Sequence, residues 1–328
     1  MIGLLVLLFV LELFLGTGYI EPSEVIDALQ DGSEHLYFPI VQTRILRALG
    51  AMVAGAGLGI SGLGMQTFFR NPLAGPGVLG ITSGAHLGVS CLLLISGALG
   101  WSFHEFGIGA STTLALCALA GAAVVLFILL LVSKIIRNDV GLLIFGLMMG
   151  YLSGALVNVL QTTASPQKIK TLTMWNMGSF TDLHWDQWCL MFVVLLIVWV
   201  VLARWHAVLD VWLLGVDYAR TSGVEVKQMR IGLIVMIGVL SAVITAFCGP
   251  IAFLGLCTPH LVRGLFQKGT HKQMIPLTII TGATLAVFCD FIARLPGIDF
   301  TLPLNAVTSM IGAPLIIYIL LRGRRVYS

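Results

Sequence analysis

The chain has 328 residues, of which 58% are hydrophobic and 10% charged, with a formal net charge of +3. A soluble domain carries roughly a quarter charged residues. So few charges cannot cover a water-facing surface, which excludes a soluble enzyme and leaves no basic face for nucleic acid. The apolar residues come in blocks of about 18–22, the length that spans ~30 Å of hydrocarbon at 1.5 Å per residue. Membrane lipid is therefore the expected surrounding, and blocks this continuous predict helices rather than alternating barrel strands.

In chain order, the first block runs from Met1 to Gly18. It has no basic leading region and no small-residue cleavage site before a soluble domain, so it reads as a span and not a signal peptide. Further spans are predicted near 48–69, 78–97, 111–132, 140–160, 188–203, 231–248, 251–262, 275–294 and 304–321. The eighth is too short to cross alone, and the basic residues argue for keeping it. With the N-terminus inside, the inside loops hold Arg70, Lys134, Arg137, Arg204, Arg220, Lys227, Arg230, Arg263, Lys268, Lys272, Arg322, Arg324 and Arg325. The outside loops hold only Arg44, Arg47, Lys168, Lys170 and Arg294. The positive-inside rule then sets both termini in the cytoplasm.

Residues 19–47 carry five acidic residues, then Arg44 and Arg47 just before the second span. Three apart, these arginines share a helix face, where they serve either interfacial anchoring or pairing with a partner's carboxylates. Gly57, Gly59 and Gly62 fit the GxGxxG pattern of dinucleotide sites, but they sit in mid-span, where Gly55 and Gly59 also form GxxxG. That context predicts close helix packing. Residues 75–83 (GPGVLGITS) resemble 249–258 (GPIAFLGLCT), each a Gly-Pro break between apolar helices, the first inside and the second outside. The pair suggests an inverted repeat of the kind that lines transport pathways, unless it is a coincidence of two glycine-rich breaks. The longest inside segment, 204–230, is either a solvated connector or a docking surface for a cytoplasmic partner.

Ionisable residues within spans are few: Glu12, His86, Asp290 and Arg294. An ion-coupled secondary transporter, the alternative reading, would be expected to carry more. The seven histidines show no HxxxH or HExxH spacing, so no metal ligand is assigned, and His260 reads as structural. The six cysteines lie in or at the ends of apolar blocks and form no CxxC pair. No GxxxxGK[ST] phosphate loop occurs, so ATP-driven transport would need another subunit to bind the nucleotide.

Along nearly its whole length the sequence resembles the FecCD-type permeases, the membrane subunits of type II ABC importers for iron–siderophore complexes, haem or vitamin B12. Arg44 to Arg47 resembles that family's R-x-P-R, with Leu46 in place of the proline. Gln66, Arg70, Asn71, Pro72 and Gly80 fit Q-x-x-x-R-N-P-L-A-x-P-x-x-L-G, with Gly75 where an acidic residue is common. Trp175 to Ser179 resembles its W-x-x-G-S segment, and Leu214, Gly215, Ala219, Gly223 and Val224 its L-G-x-x-x-A-x-x-x-G-V loop. Gly249, Pro250, Gly255, Pro259, His260 and Arg263 fit G-P-I-x-F-x-G-L-x-x-P-H-x-x-R, and Gly312 to Pro314 the last-helix G-A-P. Asn305 stands where glycine is frequent.

The resemblance implies an all-α permease of ten helices in one transmembrane domain over 1–328, in a bacterial inner membrane. It implies a homodimer with its path at the interface, two cytoplasmic ATPase subunits that bind ATP and Mg, and an extracytoplasmic substrate-binding protein. No cofactor and no catalytic residue are implied in this chain itself. Leu213, Leu214, Gly215, Ala219, Gly223 and Val224 become the ATPase-coupling segment. Arg44, Arg47 and Arg294 become salt-bridge donors to glutamates of the binding protein.

Overall fold

The computed structural model describes residues 1–15, 20–95, 110–136, 138–266, 269–295 and 301–322. Among them the secondary structure is helical throughout: α1 (Ile2–Phe14), α2 (Pro22–Asp31), α3 (Phe38–Phe68), α4 (Ile81–Ile95), α5 (Ala110–Ile135), α6 (Asp139–Thr162), α7 (Pro166–Asn176), α8 (Trp185–Arg204), α9 (His206–Leu213), α10 (Val216–Thr221), α11 (Val226–Cys248), α12 (Leu254–Phe266), α13 (His271–Ala293) and α14 (Leu304–Arg322). Each predicted span coincides with one of α1, α3, α4, α5, α6, α8, α11, α12, α13 and α14. Six of these, α3, α5, α6, α8, α11 and α13, are long and apolar enough to cross a membrane. α1, α4 and α14 are shorter apolar helices, and α12 has 13 residues, about 20 Å of helix. Of the basic residues that set the orientation, Arg137, Lys268, Arg324 and Arg325 lie outside the described residues.

α3 is the centre of the molecule. In its most apolar stretch 89% of residues are buried, against 22% in α6, whose Ile144, Met148 and Tyr151 are exposed. The glycines explain how so many neighbours reach one helix. Gly55 lies against the backbone of Gly282 in α13, and Gly62 against that of Gly255 in α12. On the opposite side Gly57 meets Ile244, and Gly64 meets Ile237, both of α11. Without a hydrophobic drive between helices in lipid, such backbone approach supplies the packing energy. The GxGxxG pattern is thus helix packing, as its context predicted.

α3 starts at Phe38, ten residues before the predicted block, so Arg44 and Arg47 lie inside the helix rather than ahead of it. Its first two turns mix apolar and polar residues, with Val41 and Arg44 buried while Ile40, Gln42 and Thr43 stay exposed. A short 3-10 turn, Pro76–Leu79, precedes α4, and a non-helical stretch at 249–253 precedes α12. The second break begins at Gly249, φ +72°, where a side chain would meet the backbone of Trp175 and Gly178. α3 leads into the first break and α11, which runs the opposite way, into the second, as an inverted repeat requires.

Candidate functional site

At the N-terminal end of α3 five ionisable residues from three helices converge. Arg47 donates to both oxygens of Asp290, Nε to Oδ2 and Nη2 to Oδ1, each at 2.8 Å, and its Nη1 reaches Thr181 Oγ1 at 2.7 Å. Arg294 Nη2 donates to Asp290 Oδ2 at 2.9 Å and lies 3.6 Å from Glu12 Oε1. Arg44 donates to the carbonyls of Leu13 and Phe14 at 2.8 and 3.1 Å, so a cation caps the negative end of α1. Asp290 and Glu12 are fully buried, and the Arg47 side chain is 12% exposed. Arg44, Arg47 and Asp290 are buried with hydrogen-bond partners, which is what makes burial of charge tolerable, whereas neither Glu12 carboxyl oxygen has one among the described residues. Three guanidinium groups face two carboxyl groups, and Asp290 is shared between Arg47 and Arg294.

The three arginines assigned together from sequence are therefore neighbours, and their first partners belong to this chain. Asp290, singled out as a costly intramembrane acid, is the partner of Arg47 and Arg294; Glu12, the other, lies beside Arg294, and Arg44 is held by carbonyls of α1. His86, the remaining intramembrane candidate, stacks on Trp175 with ring centroids 6.2 Å apart. Beside the cluster a cavity of about 420 Å³ opens along Gln42, Thr43, Asp182, His184 and Trp185.

At the other end of α3 a second polar assembly forms. Asp139, in the first turn of α6, accepts from Arg70 Nη2 at 3.0 Å and faces Arg230 Nη2 at 3.5 Å. Arg70 follows the end of α3 at φ +48°, a left-handed residue that turns the chain out of the helix. Arg263 donates to Gln66 Oε1, while Gln66 Nε2 donates to Leu256 O at 3.2 Å. His260 Nε2 sits 2.7 Å from the carbonyl of Pro72, which fits the structural role assigned to it. The Asn71 side chain accepts from Leu73 N at 2.9 Å and closes a local turn. The motif residues that read as structural are thus partners across sequence: 66–72 with 256–263, Gly80 with Gly146, and Gly312 with Phe253 and Cys257. Pro259 and Pro314 lie inside α12 and α14.

Segment 204–230 folds into α9 and α10 with a tight elbow between them. Gly215, at φ +123°, forms the corner and Leu213 and Leu214 project from it, exposed. Ala219 is fully buried, and Val224 N returns to its carbonyl at 3.0 Å beside Gly223, φ +85°. The elbow is fastened to the core: Trp212 is fully buried, stacks on Phe68 at 6.1 Å and donates its indole N–H to Phe68 O at 3.1 Å. Asp210 accepts from the backbone N–H of His271 at 3.0 Å and from its ring Nδ1. A solvated connector would have none of these attachments.

The profile of the FecCD transport family matches residues 4–322, almost the entire chain. The chain belongs to the FecCD transport family. Among relatives of this family member, the vitamin B12 import system permease protein BtuC of Klebsiella pneumoniae is 34% identical over 324 residues, covering 98% of this chain and 92% of the relative. BtuC of Photorhabdus laumondii is 33% identical over 323 residues, covering 98% and 91%. Among solved structures, one described as a metal-chelate type ABC transporter in an inward-facing conformation superposes with a TM-score of 0.81 at 29% identity, covering 98% of this chain and 96% of that one. PsaBC from Streptococcus pneumoniae, at 18% identity and a TM-score of 0.54 over 91% and 95% of the two chains, shares the fold. The FecCD-type resemblance and the all-helical permease fold read from sequence are both met.

Sequence reasoning missed Thr181, Asp139, Asp210, Trp212 and His271. No local pattern marks them, since each acquires its role from a partner far along the chain.

Proposed function

We propose that this chain is the permease subunit of an ATP-binding-cassette importer that moves a bulky metal chelate (an iron–siderophore complex, haem or cobalamin) into the cytoplasm by alternating access. The observation that carries the reading is the elbow of segment 204–230, an exposed apolar pair held rigidly on the core of a membrane-spanning family member. Two copies of the chain would enclose the path, each crossing the bilayer ten times with both termini in the cytoplasm, as the basic residues favour. Two ATPase subunits would seat the Leu213–Leu214 elbow and bind the ATP and Mg that drive the cycle. An extracytoplasmic binding protein would deliver the chelate at the Arg47 end. There its acidic groups would share or exchange with Asp290 for Arg44, Arg47 and Arg294, setting orientation more than raw affinity. This chain makes and breaks no bond in the substrate.

The test is uptake into proteoliposomes holding this chain with its ATPase and binding protein, comparing an iron–siderophore complex, haem and cobalamin. Accumulation of one chelate that requires ATP and survives ionophores is expected. Accumulation driven by an ion gradient without ATP would overturn the proposal in favour of a secondary carrier.

A further inference from the structure

We infer that His271 and Asp210 are positioning residues that lock the elbow to the α3–α13 helix pair, making that pair the rod through which the two ends of the molecule act on each other. The inference rests on the importer reading above.

The α3–α13 pair is the most extensive helix contact among the described residues, and at its middle the backbones of Gly55 and Gly282 touch. At this crossing the backbones lie too close for a side chain to repack between them, which favours movement of the two helices as one body. Both ends of this body are fastened. At one end Arg47 of α3 grips Asp290 of α13 through two hydrogen bonds of 2.8 Å. At the other end His271, the first residue of α13 and 2% exposed, faces Thr67 Oγ1 of α3 through Nε2 at 2.8 Å. Its Nδ1 and backbone N–H both meet Asp210 Oδ1 of α9, the backbone bond at 3.0 Å. One imidazole therefore ties three elements, and a carboxylate that accepts two N–H groups fixes α9 in position and angle. Trp212 on Phe68 adds a second point of attachment two residues further along α9. Two attachments prevent α9 from swivelling, so a shift of the rod must carry Leu213 and Leu214 with it. Arg263 and His206 are the other basic groups near the imidazole, and neither displaces Asp210 from it.

The experiment compares His271→Ala, His271→Asn and Asp210→Ala in the assembled transporter, reading substrate taken up per ATP hydrolysed. His271→Ala is expected to lower that ratio by about tenfold, the factor that loss of a charge-assisted hydrogen bond corresponds to. His271→Asn keeps an N–H near the Nδ1 position and is expected to restore most of it. A merely structural role would reduce the amount of assembled complex and leave the ratio per complex unchanged. Should His271→Ala fail to assemble, Asp210→Ala decides the matter, because Asp210 is one-third exposed and the substitution removes the oxygen that accepts both N–H groups. A normal ratio in Asp210→Ala, or in His271→Ala where that variant assembles, would overturn the inference. Absence of ATP-dependent uptake in the unmodified complex would instead overturn the importer reading itself.

Discussion

The Cα of Gly62 lies against the carbonyl of Gly255, and a methyl group added there would take the space of that backbone oxygen. Neither partner can rotate away, because one atom belongs to the backbone of α3 and the other to that of α12, packed on it. Gly62→Ala is therefore expected to lower stability by about 1–3 kcal/mol, the usual cost of overpacking a tight contact, seen as a lower Tm in detergent. Gly75 makes the contrast. Its φ is −115° and a Cβ there would meet Leu256 at 3.8 Å, an ordinary contact, so Gly75→Asp should leave the Tm within the range of a neutral surface change. An unchanged Tm for Gly62→Ala would contradict the close-packing account of α3. Asn305, another departure from the family pattern, has a use of its own. Its Oδ1 accepts from Ala252 N at 3.0 Å and its N–H donates to Met177 O at 2.9 Å, so it holds the break before α12.

Helices with long apolar blocks were legible in the sequence because bilayer thickness dictates their length, and all ten predicted blocks fall on helices. What the blocks could not show were α2, α7, α9 and α10, which are short, of mixed composition, and stabilised by what they pack on. α2 and α7 each begin with a proline at the first helical turn, a start signal that hydropathy overlooks. The α9–α10 elbow separates two functions that a connector would merge. Leu214 is 67% exposed and makes no core contact, whereas Trp212 is fully buried. Leu214→Asp is thus expected to keep the Tm and lose co-purification of the ATPase subunit. Trp212→Ala should instead cost about 3–5 kcal/mol of stability. Retention of the ATPase by Leu214→Asp would return the elbow to the role of a plain linker.

Across the whole molecule, pairings such as Arg47 with Asp290, 243 positions apart, were illegible because nothing local says which buried cation meets which acid. The pairing also changes how docking can be tested. Reversing the charge of Arg47 would set a glutamate against the fully buried Asp290, so lost docking and lost folding would arrive together. Removing both charges avoids this, since Arg47→Met with Asp290→Asn leaves Arg44, Arg294 and Glu12 in place and does not change the cluster's net charge. Asp290→Asn alone removes the carboxylate charge that Arg47 and Arg294 share and is expected to cost about 3–5 kcal/mol. The double variant should recover at least about 1 kcal/mol of that, the signature of groups in direct contact. Recovery of the Tm without recovery of binding-protein affinity would separate Arg47's part in docking from its part in the fold. Wild-type affinity in the stable double variant would mean that Arg47 serves the fold alone, and that the delivering protein is held by other groups on this face, such as those around the cavity at Gln42 and Asp182.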